Sequence, residues 1–416
     1  MNLRLLAWKS LSSRRSTAIL TVVSIAVSVV LLLGVEKIRV NAQSSFANTI
    51  SGTDLIVGAR SGSIQLLLYS VFRIGNATNN ISWDSYQAIA QKKGVKWTIP
   101  ISLGDSHRGF RVMGTSKDYF SFYQYSQKRN LQLTSGKPFN DTFDTVIGSE
   151  VARSLNYSVG DQVIISHGTV STSFSEHKDK PFIISGILEH TGTPVDRTVH
   201  VSLEGIEAMH VNWQGQIKKR KAGKTLSETN LQPESITAFL IGLDSKIISF
   251  KLQRYINEYA PEPLLAIFPG IALHELWSLM SVAEQALLII SIFVVIAALT
   301  GMLAVSLAGL NERRREVAIL RSVGASHWHI MGLLIAETLL LTISGILLGI
   351  AILYSAIGLG QPIIEANYGL FIPLSLPNER EFAMVSILLV TGFVVGLIPA
   401  YRAYRNSLAD GMSTRL

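Results

Sequence analysis

Apolar and polar positions divide this chain into four long uncharged runs and one large mixed segment. Residues 16–35, 285–310 and 382–401 contain 20, 26 and 20 uncharged residues, and the run 328–358 is interrupted only by Glu337. About 20 apolar residues in a helix cross a hydrocarbon core of about 30 Å, so each run predicts a membrane-spanning helix. The first 15 residues are basic and carry Leu3, Leu6, Ala7 and Leu11 at helical spacing, with Trp8 suited to a bilayer interface. They predict an interfacial elbow helix. The run that follows is longer than the roughly 7–15 apolar residues of a cleaved leader, so the reading is a retained span.

Between the first and second spans the pattern changes. Over 36–280 short β-branched runs alternate with short amphipathic ones. Strands are predicted at 54–59, 95–101, 110–114, 145–148, 162–166, 182–188, 199–202 and 236–243. Helices are predicted at 82–93, with Ser82 as cap and Gly94 as stop, at 149–155, and at 245–259, where Ile248, Leu252, Tyr255, Ile256 and Tyr259 share one face. A lobe nearer the membrane is expected to combine 40–60, 95–150 and 230–270, with 61–93 and 160–225 inserted farther out. Residues 273–284, ahead of the second span, are amphipathic and free of proline, which predicts a stalk continuous with the span. Pro362, Pro373 and Pro377 mark 359–381 as a turn region.

Charge fixes the topology. The 416-residue chain is 48% hydrophobic and carries a net charge of +8. Segments 1–15, 311–329 and 402–416 hold eleven of the 37 Lys and Arg residues and three of the 29 acids, so the remainder balances at 26 each. Basic residues gathered beside spans are the positive-inside signature, not a nucleic-acid face. Both termini are therefore expected inside and 36–280 outside. The chain has no cysteine, which excludes disulfides, thiolate metal sites and thiol nucleophiles.

Between spans two and three lies the sequence RRREVAILRSVGAS, residues 313–326. Arg313, Arg314, Arg315 and Arg321 are basic, Glu316 is acidic, and Val317, Ile319 and Leu320 form an apolar patch too short to cross a bilayer. Gly324 is a natural helix stop and Ser326 a natural restart. This segment, the following span with Glu337 near its start, and GLIPAYRAYR at 396–405 together resemble the FtsX-like, MacB/LolC-type permeases of the type VII ABC transporter superfamily. The run DTVIGSEVARSLNYSVGDQVIIS at 144–166, followed by PFIISGIL at 181–188, resembles the MacB-like periplasmic core domain.

The resemblance implies an α-helical membrane bundle of four spans plus a mixed α+β, two-lobed periplasmic domain inserted between spans 1 and 2. The expected order is an elbow at 1–15, span 1 at 16–40, the periplasmic core domain at 41–272, and stalk with span 2 at 273–310. A coupling helix at 311–327, span 3 at 328–358, a periplasmic loop at 359–381, span 4 at 382–404 and a cytoplasmic tail at 405–416 complete it. It also implies a bacterial inner-membrane permease subunit that docks a cytoplasmic ABC ATPase through 313–324, pairs with a second copy or paralogue, and meets a periplasmic accessory or substrate protein. Force from ATP hydrolysis would reach the outer domain by mechanotransmission, in the handling of a lipoprotein, peptide or small molecule. Two alternatives stay open: a regulator of a periplasmic partner such as a cell-wall hydrolase, and zinc-linked transport.

The chain's own chemistry is sparse. Gly223-Lys224-Thr225 lacks the glycine of a phosphate loop, since position 218 is Lys218, and no ABC signature is present. ATP and Mg therefore belong to the partner ATPase. There is no Gly-x-Ser-x-Gly elbow, and His274-Glu275 lacks a second histidine. No enzyme activity and no bound cofactor are expected. Six of nine histidines lie in the outer domain without metal-site spacing. GDSHRGFRV and TGTPVDRTVHVSL resemble permeases linked to zinc acquisition, which leaves His107, His167 and His177 as the candidate ligands. Within the spans, Gly345, Gly349, Gly392 and Gly396 are small residues four apart, the spacing that lets helices approach closely in lipid. Glu337 should face the bundle interior or a cationic partner.

Overall fold

A sheet covered on both faces needs strands that are apolar at successive positions rather than alternating ones. The outer segment meets that demand. The computed structural model describes residues 15–167, 181–209, 231–312, 319, 322, 324–368, 374–375 and 377–405. The chain divides into two compact units: Ala42–Leu279 with Ile364–Phe371, and Met1–Asn41 with Met280–Ile363 and Ile372–Leu416.

The first unit is built on one mixed sheet. Its strands are β1 (Leu55–Ala59), β3 (Val95–His107), β4 (Phe110–Thr115), β7 (Leu133–Gly136), β8 (Asp144–Ile147), β11 (Phe182–Leu188), β12 (Thr198–Ser202), β14 (Ala238–Leu243) and β15 (Leu264–Ile267). Their order is β15-β1-β14-β3-β4-β12-β8-β11-β7. Pairing is antiparallel except for β4 with β12 and β8 with β11. Short strands β9 (Gln162–Val163) and β10 (Ser166–His167) add to β11 and β3. The remaining short strands, β2 (Ile81–Ser82), β5 (Gln124–Tyr125), β6 (Arg129–Asn130) and β13 (Ser235–Ile236), pair as β2 with β13 and β5 with β6.

Side chains alternate between faces along each strand. Ile56, Ile99, Leu240 and Met113 point to one face, where α2 (Ser63–Ser70) and α4 (Asp118–Phe122) supply Leu66, Leu67, Tyr69 and Tyr119, with Tyr123 just after α4. Leu55, Val57, Phe239 and Ile241 point to the other, under α3 (Trp83–Ala90) and α6 (Ser249–Asn257), which supply Ile89, Leu252 and Ile256. The second half of that face holds Val112, Ile147, Val199 and Val201 against Val151 of α5 (Ser149–Leu155) and against Ile206 and Met209. The division into lobes thus differs from the expected one. Residues 110–147 join 182–202, and 83–90 pack on β1 and β14, because strand pairing rather than chain proximity sets the groups.

Local signals decide the helix ends. Ser82 caps α3, its hydroxyl accepting from Ser85 N, and Gly94 follows in the left-handed region at φ 96°. Helix α3 stops at Ala90, three residues short of the sequence estimate. Ser245 caps a 3₁₀ turn at Lys246–Ile248, and α6 begins only after it.

Among the described residues, four helices are long and apolar enough to cross a membrane, and the second unit is built from them: α1 (Arg15–Thr49), α7 (Pro269–Glu312), α8 (His327–Tyr368) and α9 (Glu379–Arg405). Helix α7 is a single run of 44 residues that includes the predicted stalk. Helix α8 continues to Tyr368, past residue 358 and through Pro362, where a turn was expected. A proline lacks one N–H but does not end a helix whose neighbours re-satisfy the freed group. Asn378 caps α9, its Oδ1 accepting from Glu381 N at 2.8 Å.

Candidate functional site at the two ends of the membrane bundle

Packing along the spans is set by small residues on α8 and α9. A Cβ on Gly345 would lie 2.7 Å from Ile25 Cβ, and one on Gly349 would lie 2.7 Å from Val29 Cβ and 2.8 Å from Ala26 O. These two glycines seat α8 on α1. Gly392 and Gly396 bring α9 against Thr342 and Thr338 of α8 in the same way. Backbones this close gain dispersion contacts that lipid tails cannot replace.

At the end carrying the basic segment, Leu310, Ile330, Leu334, Ala400 and Ala403 form a small buried cluster that joins α7, α8 and α9. Beside it lies a cavity of about 40 Å³ lined by residues of all four helices, including Thr17, Ser306, Glu337, Thr338 and Pro399. Glu337 therefore faces the bundle interior. The segment itself is described at few positions. Ile319 is helical and 61% exposed, an apolar side chain turned outward. Ser322 is helical and its hydroxyl donates to Ile319 O at 2.8 Å. Gly324 has φ 96° with nothing near its Cβ position, so glycine is required there by backbone conformation rather than by space. Ser326 O then accepts from His329 N at 3.0 Å as α8 begins. Arg313, Arg314, Arg315, Glu316, Val317, Leu320 and Arg321 lie outside the described residues.

The opposite end of the bundle carries a charge network that the sequence reading missed. Lys37 and Glu381 form an ion pair at 3.7 Å, with side chains 3% and 5% exposed. Lys37 Nζ also donates to Ser375 O at 3.2 Å and lies 4.9 Å from the centre of the Tyr354 ring. Tyr354 OH donates to the same Ser375 oxygen at 2.8 Å. One residue earlier, Glu36 accepts two hydrogen bonds from Arg39, at 2.7 and 2.9 Å, and lies 3.9 Å from Arg380. The signal was in the sequence: a Glu-Lys pair closing span 1 and the run Asn378-Glu-Arg-Glu381 opening span 4. Neighbouring opposite charges cancel in any window count, which hid them.

In the sheet unit, two of the described histidines, His107 and His200, are buried. His107 is buried; its Nδ1 donates to Ile164 O at 2.6 Å and its Nε2 accepts from Tyr157 OH at 3.0 Å. Both nitrogens are thus engaged within the domain, and burial holds the imidazole below its usual range. His167 pairs through its backbone with Asp105, and His177 lies outside the described residues. His200 sits at the sheet centre, fully buried, with Nδ1 donating to Val146 O at 3.2 Å and its ring 5.2 Å from Tyr119. Burial, reinforced by the Arg73 charge, pushes its pKa down to about 3. Asp196 is buried nearby and accepts from Thr191 N, Thr191 Oγ1 and Gly192 N, which ties the turn before β12 to itself. Among the described residues, no three of His, Asp and Glu come together as a metal site.

Fold and site together define a four-span membrane protein with a mixed α/β domain inserted after the first span. Two family models match it: the MacB-like periplasmic core domain over residues 18–234 and the FtsX-like permease C-terminal region over residues 288–408. The chain belongs to the FtsX-like permease family with a MacB-like periplasmic core domain. Members are permease components of ABC transporters, which act with a partner ATPase and typically as dimers. Among solved structures the chain is similar to the periplasmic region of MacB from Actinobacillus actinomycetemcomitans, at 8% identity and TM-score 0.35, covering 55% of this chain and 94% of that one. It is also similar to the extracellular domain of the noncanonic ABC-type transporter YknZ from Gram-positive bacteria, at 12% identity and TM-score 0.30, covering 52% and 99%. No curated protein sequence matched the chain.

Proposed function

We propose that this permease couples ATP hydrolysis on a separate cytoplasmic ATPase to a conformational change of its periplasmic domain, in the bacterial inner membrane. The observation that carries the reading is helix α7, one run of 44 residues from Pro269, just after strand β15, to Glu312, at the edge of the basic segment. A stiff helix transmits displacement, where a hinged linker would dissipate it. In this reading 313–324 is the coupling helix. Val317, Ile319, Leu320 and Gly324 contact the ATPase, while Arg313, Arg314, Arg315 and Arg321 meet lipid headgroups or its acidic side chains. ATP and Mg sit on that partner. The working unit pairs two permeases, identical or paralogous, with two ATPases. It acts on a lipoprotein, peptide or small molecule, or on a periplasmic accessory protein, and solutes need not pass between the spans. Of the zinc candidates, His107 engages both ring nitrogens within the domain, which weighs against the zinc-linked alternative.

The test is Leu320→Asp. It would bury an unpaired charge in the contact with the ATPase, at a cost of several kcal/mol. The purified variant should lose its ATPase or hydrolyse ATP without coupling. An intact, fully active complex would overturn the assignment. Recovery of a periplasmic partner only in the ATP-bound state, with no cargo, would instead support the regulator reading.

A further inference from the structure

Charge buried at a helix end in a membrane protein is costly unless it is paired, so a paired network there does more than fill space. Lys37 has three partners drawn from three places: the Glu381 carboxylate on α9, the Tyr354 ring on α8, and the Ser375 carbonyl on the segment between them. Tyr354 closes the circuit by donating to that same carbonyl. The adjacent Glu36 binds Arg39 on its own helix and lies near Arg380 on α9. Separating α1 from α8 and α9 at this end would therefore leave an ammonium and a carboxylate unpaired away from bulk water. Farther along the same helices, Gly345 and Gly349 lock α8 to α1, and Gly392 and Gly396 lock α9 to α8.

Helix α7 is held differently. Of its glycines, Gly301 has no atom within 4 Å of its Cβ position, while Gly309, at the end carrying the basic segment, is buried beside the cavity. Its polar contacts with the other spans include Ser28 Oγ to Val294 O at 3.4 Å and Thr342 Oγ1 to Met302 Sδ at 3.7 Å, both long and neutral. Long neutral contacts of this kind are weak, so losing them costs little.

We propose that the Lys37–Glu381 pair is a clamp that makes α1, α8 and α9 one rigid body, with α7 as the member that moves against it during the ATP cycle. This inference rests on the proposed coupling of ATP hydrolysis to conformational change. Lys37, Glu381 and Tyr354 are then positioning residues. They set which helices travel together and touch neither nucleotide nor cargo.

The cysteine-free chain allows a direct test with spin labels on introduced cysteines. Ile38, Phe382 and Val282 are exposed at the same end of α1, α9 and α7. Ile38→Cys paired with Phe382→Cys reports α1 against α9, and Ile38→Cys paired with Val282→Cys reports α1 against α7. Distances are measured by pulsed electron paramagnetic resonance in the complex purified with its ATPase, nucleotide-free and trapped with ADP and vanadate. The clamp predicts a 38–382 distance constant to within about 2 Å, the scale of small helix shifts, and a 38–282 distance that changes by more. A change in 38–382 overturns the clamp and leaves the coupling reading standing. Constancy of both distances overturns the inference that α7 moves against the clamp, while the coupling reading is decided separately by Leu320→Asp.

Discussion

Gly349 and Ala26 stand so close that a Cβ on the glycine would come within 2.8 Å of the Ala26 carbonyl oxygen. Backbone, unlike a side-chain tip, cannot rotate away. Gly349→Leu should therefore lower the stability of the detergent-solubilised protein by about 1–3 kcal/mol or more, the usual cost of overpacking. Gly345→Leu should behave alike, since its neighbours are Ile25 and Val22. By contrast, Gly301→Ala and Gly358→Ala meet no atom within 4 Å and should be neutral or stabilise by up to about 1 kcal/mol through helix propensity. Thermal unfolding of the four variants side by side checks the contrast. Equal effects at all four positions would mean that the glycines do not set helix approach.

The clamp residues should show the asymmetry of a buried ion pair. Lys37→Met or Glu381→Met alone leaves a buried partner without its counter-charge and should destabilise by about 3–5 kcal/mol. Lys37→Met combined with Glu381→Met removes both charges and should cost much less than the sum of the single changes. A double-mutant cycle from unfolding midpoints decides it. Additive losses would show that the pair is not coupled.

Acid should destabilise the sheet unit through His200. Its pKa is about 3 in the fold and near 6.5 when unfolded, so between those values the unfolded chain binds one more proton. Stability contributed by the neutral ring is full above about pH 6.5 and is lost as pH falls toward 3. His107, also depressed by burial, adds in the same direction. Each proton corresponds to about 1.4 kcal/mol per pH unit. His200→Phe keeps the ring packing against Tyr119 and should flatten the dependence of stability on pH between 6 and 4 by about one proton. An unchanged slope would mean that His200 already titrates normally.

Topology can be read by thiol labelling. Thr78→Cys places an exposed thiol in the sheet unit, and Ser326→Cys places one beside the basic segment. A membrane-impermeant reagent added to spheroplasts should label the first and spare the second until the membrane is opened. The reverse pattern would invert the orientation drawn from the positive-inside rule.

The spans were legible because a run of 20 or more uncharged residues has one physical use, whatever its neighbours. Strand β11 and helix α5 were also legible to the residue, being bounded by their own turn and cap residues. Strand β15 was not. Leu264–Ile267 follows Pro261 and Pro263 and has no alternation of its own; it is a strand because Leu264 to Ile267 pair with Ala59 to Ile56. Helix α2 was hidden for a related reason: the Leu66–Leu67 apolar stretch reads equally as strand or helix until the sheet face beneath it is known. The outer charge network depends on Lys37 meeting Glu381, a separation in sequence that no local pattern reports. For the basic segment 313–324, the sequence remains the fuller source, with Ile319, Ser322 and Gly324 as its described positions.

A continuous α7 also fixes angular phase. Each helical residue turns the chain by about 100° and advances it by about 1.5 Å. One alanine inserted near Val282 would therefore rotate everything before it by about 100° while lengthening the helix by only about 1.5 Å. Seven inserted residues nearly restore the angle, to within about 20°, but add about 10 Å. If the helix works by thrust, the single insertion should be tolerated and the seven-residue one should not. If it works by twist, the order reverses. An uninterrupted helix thus makes torque and push separable by insertion length alone, which a jointed connection would not allow.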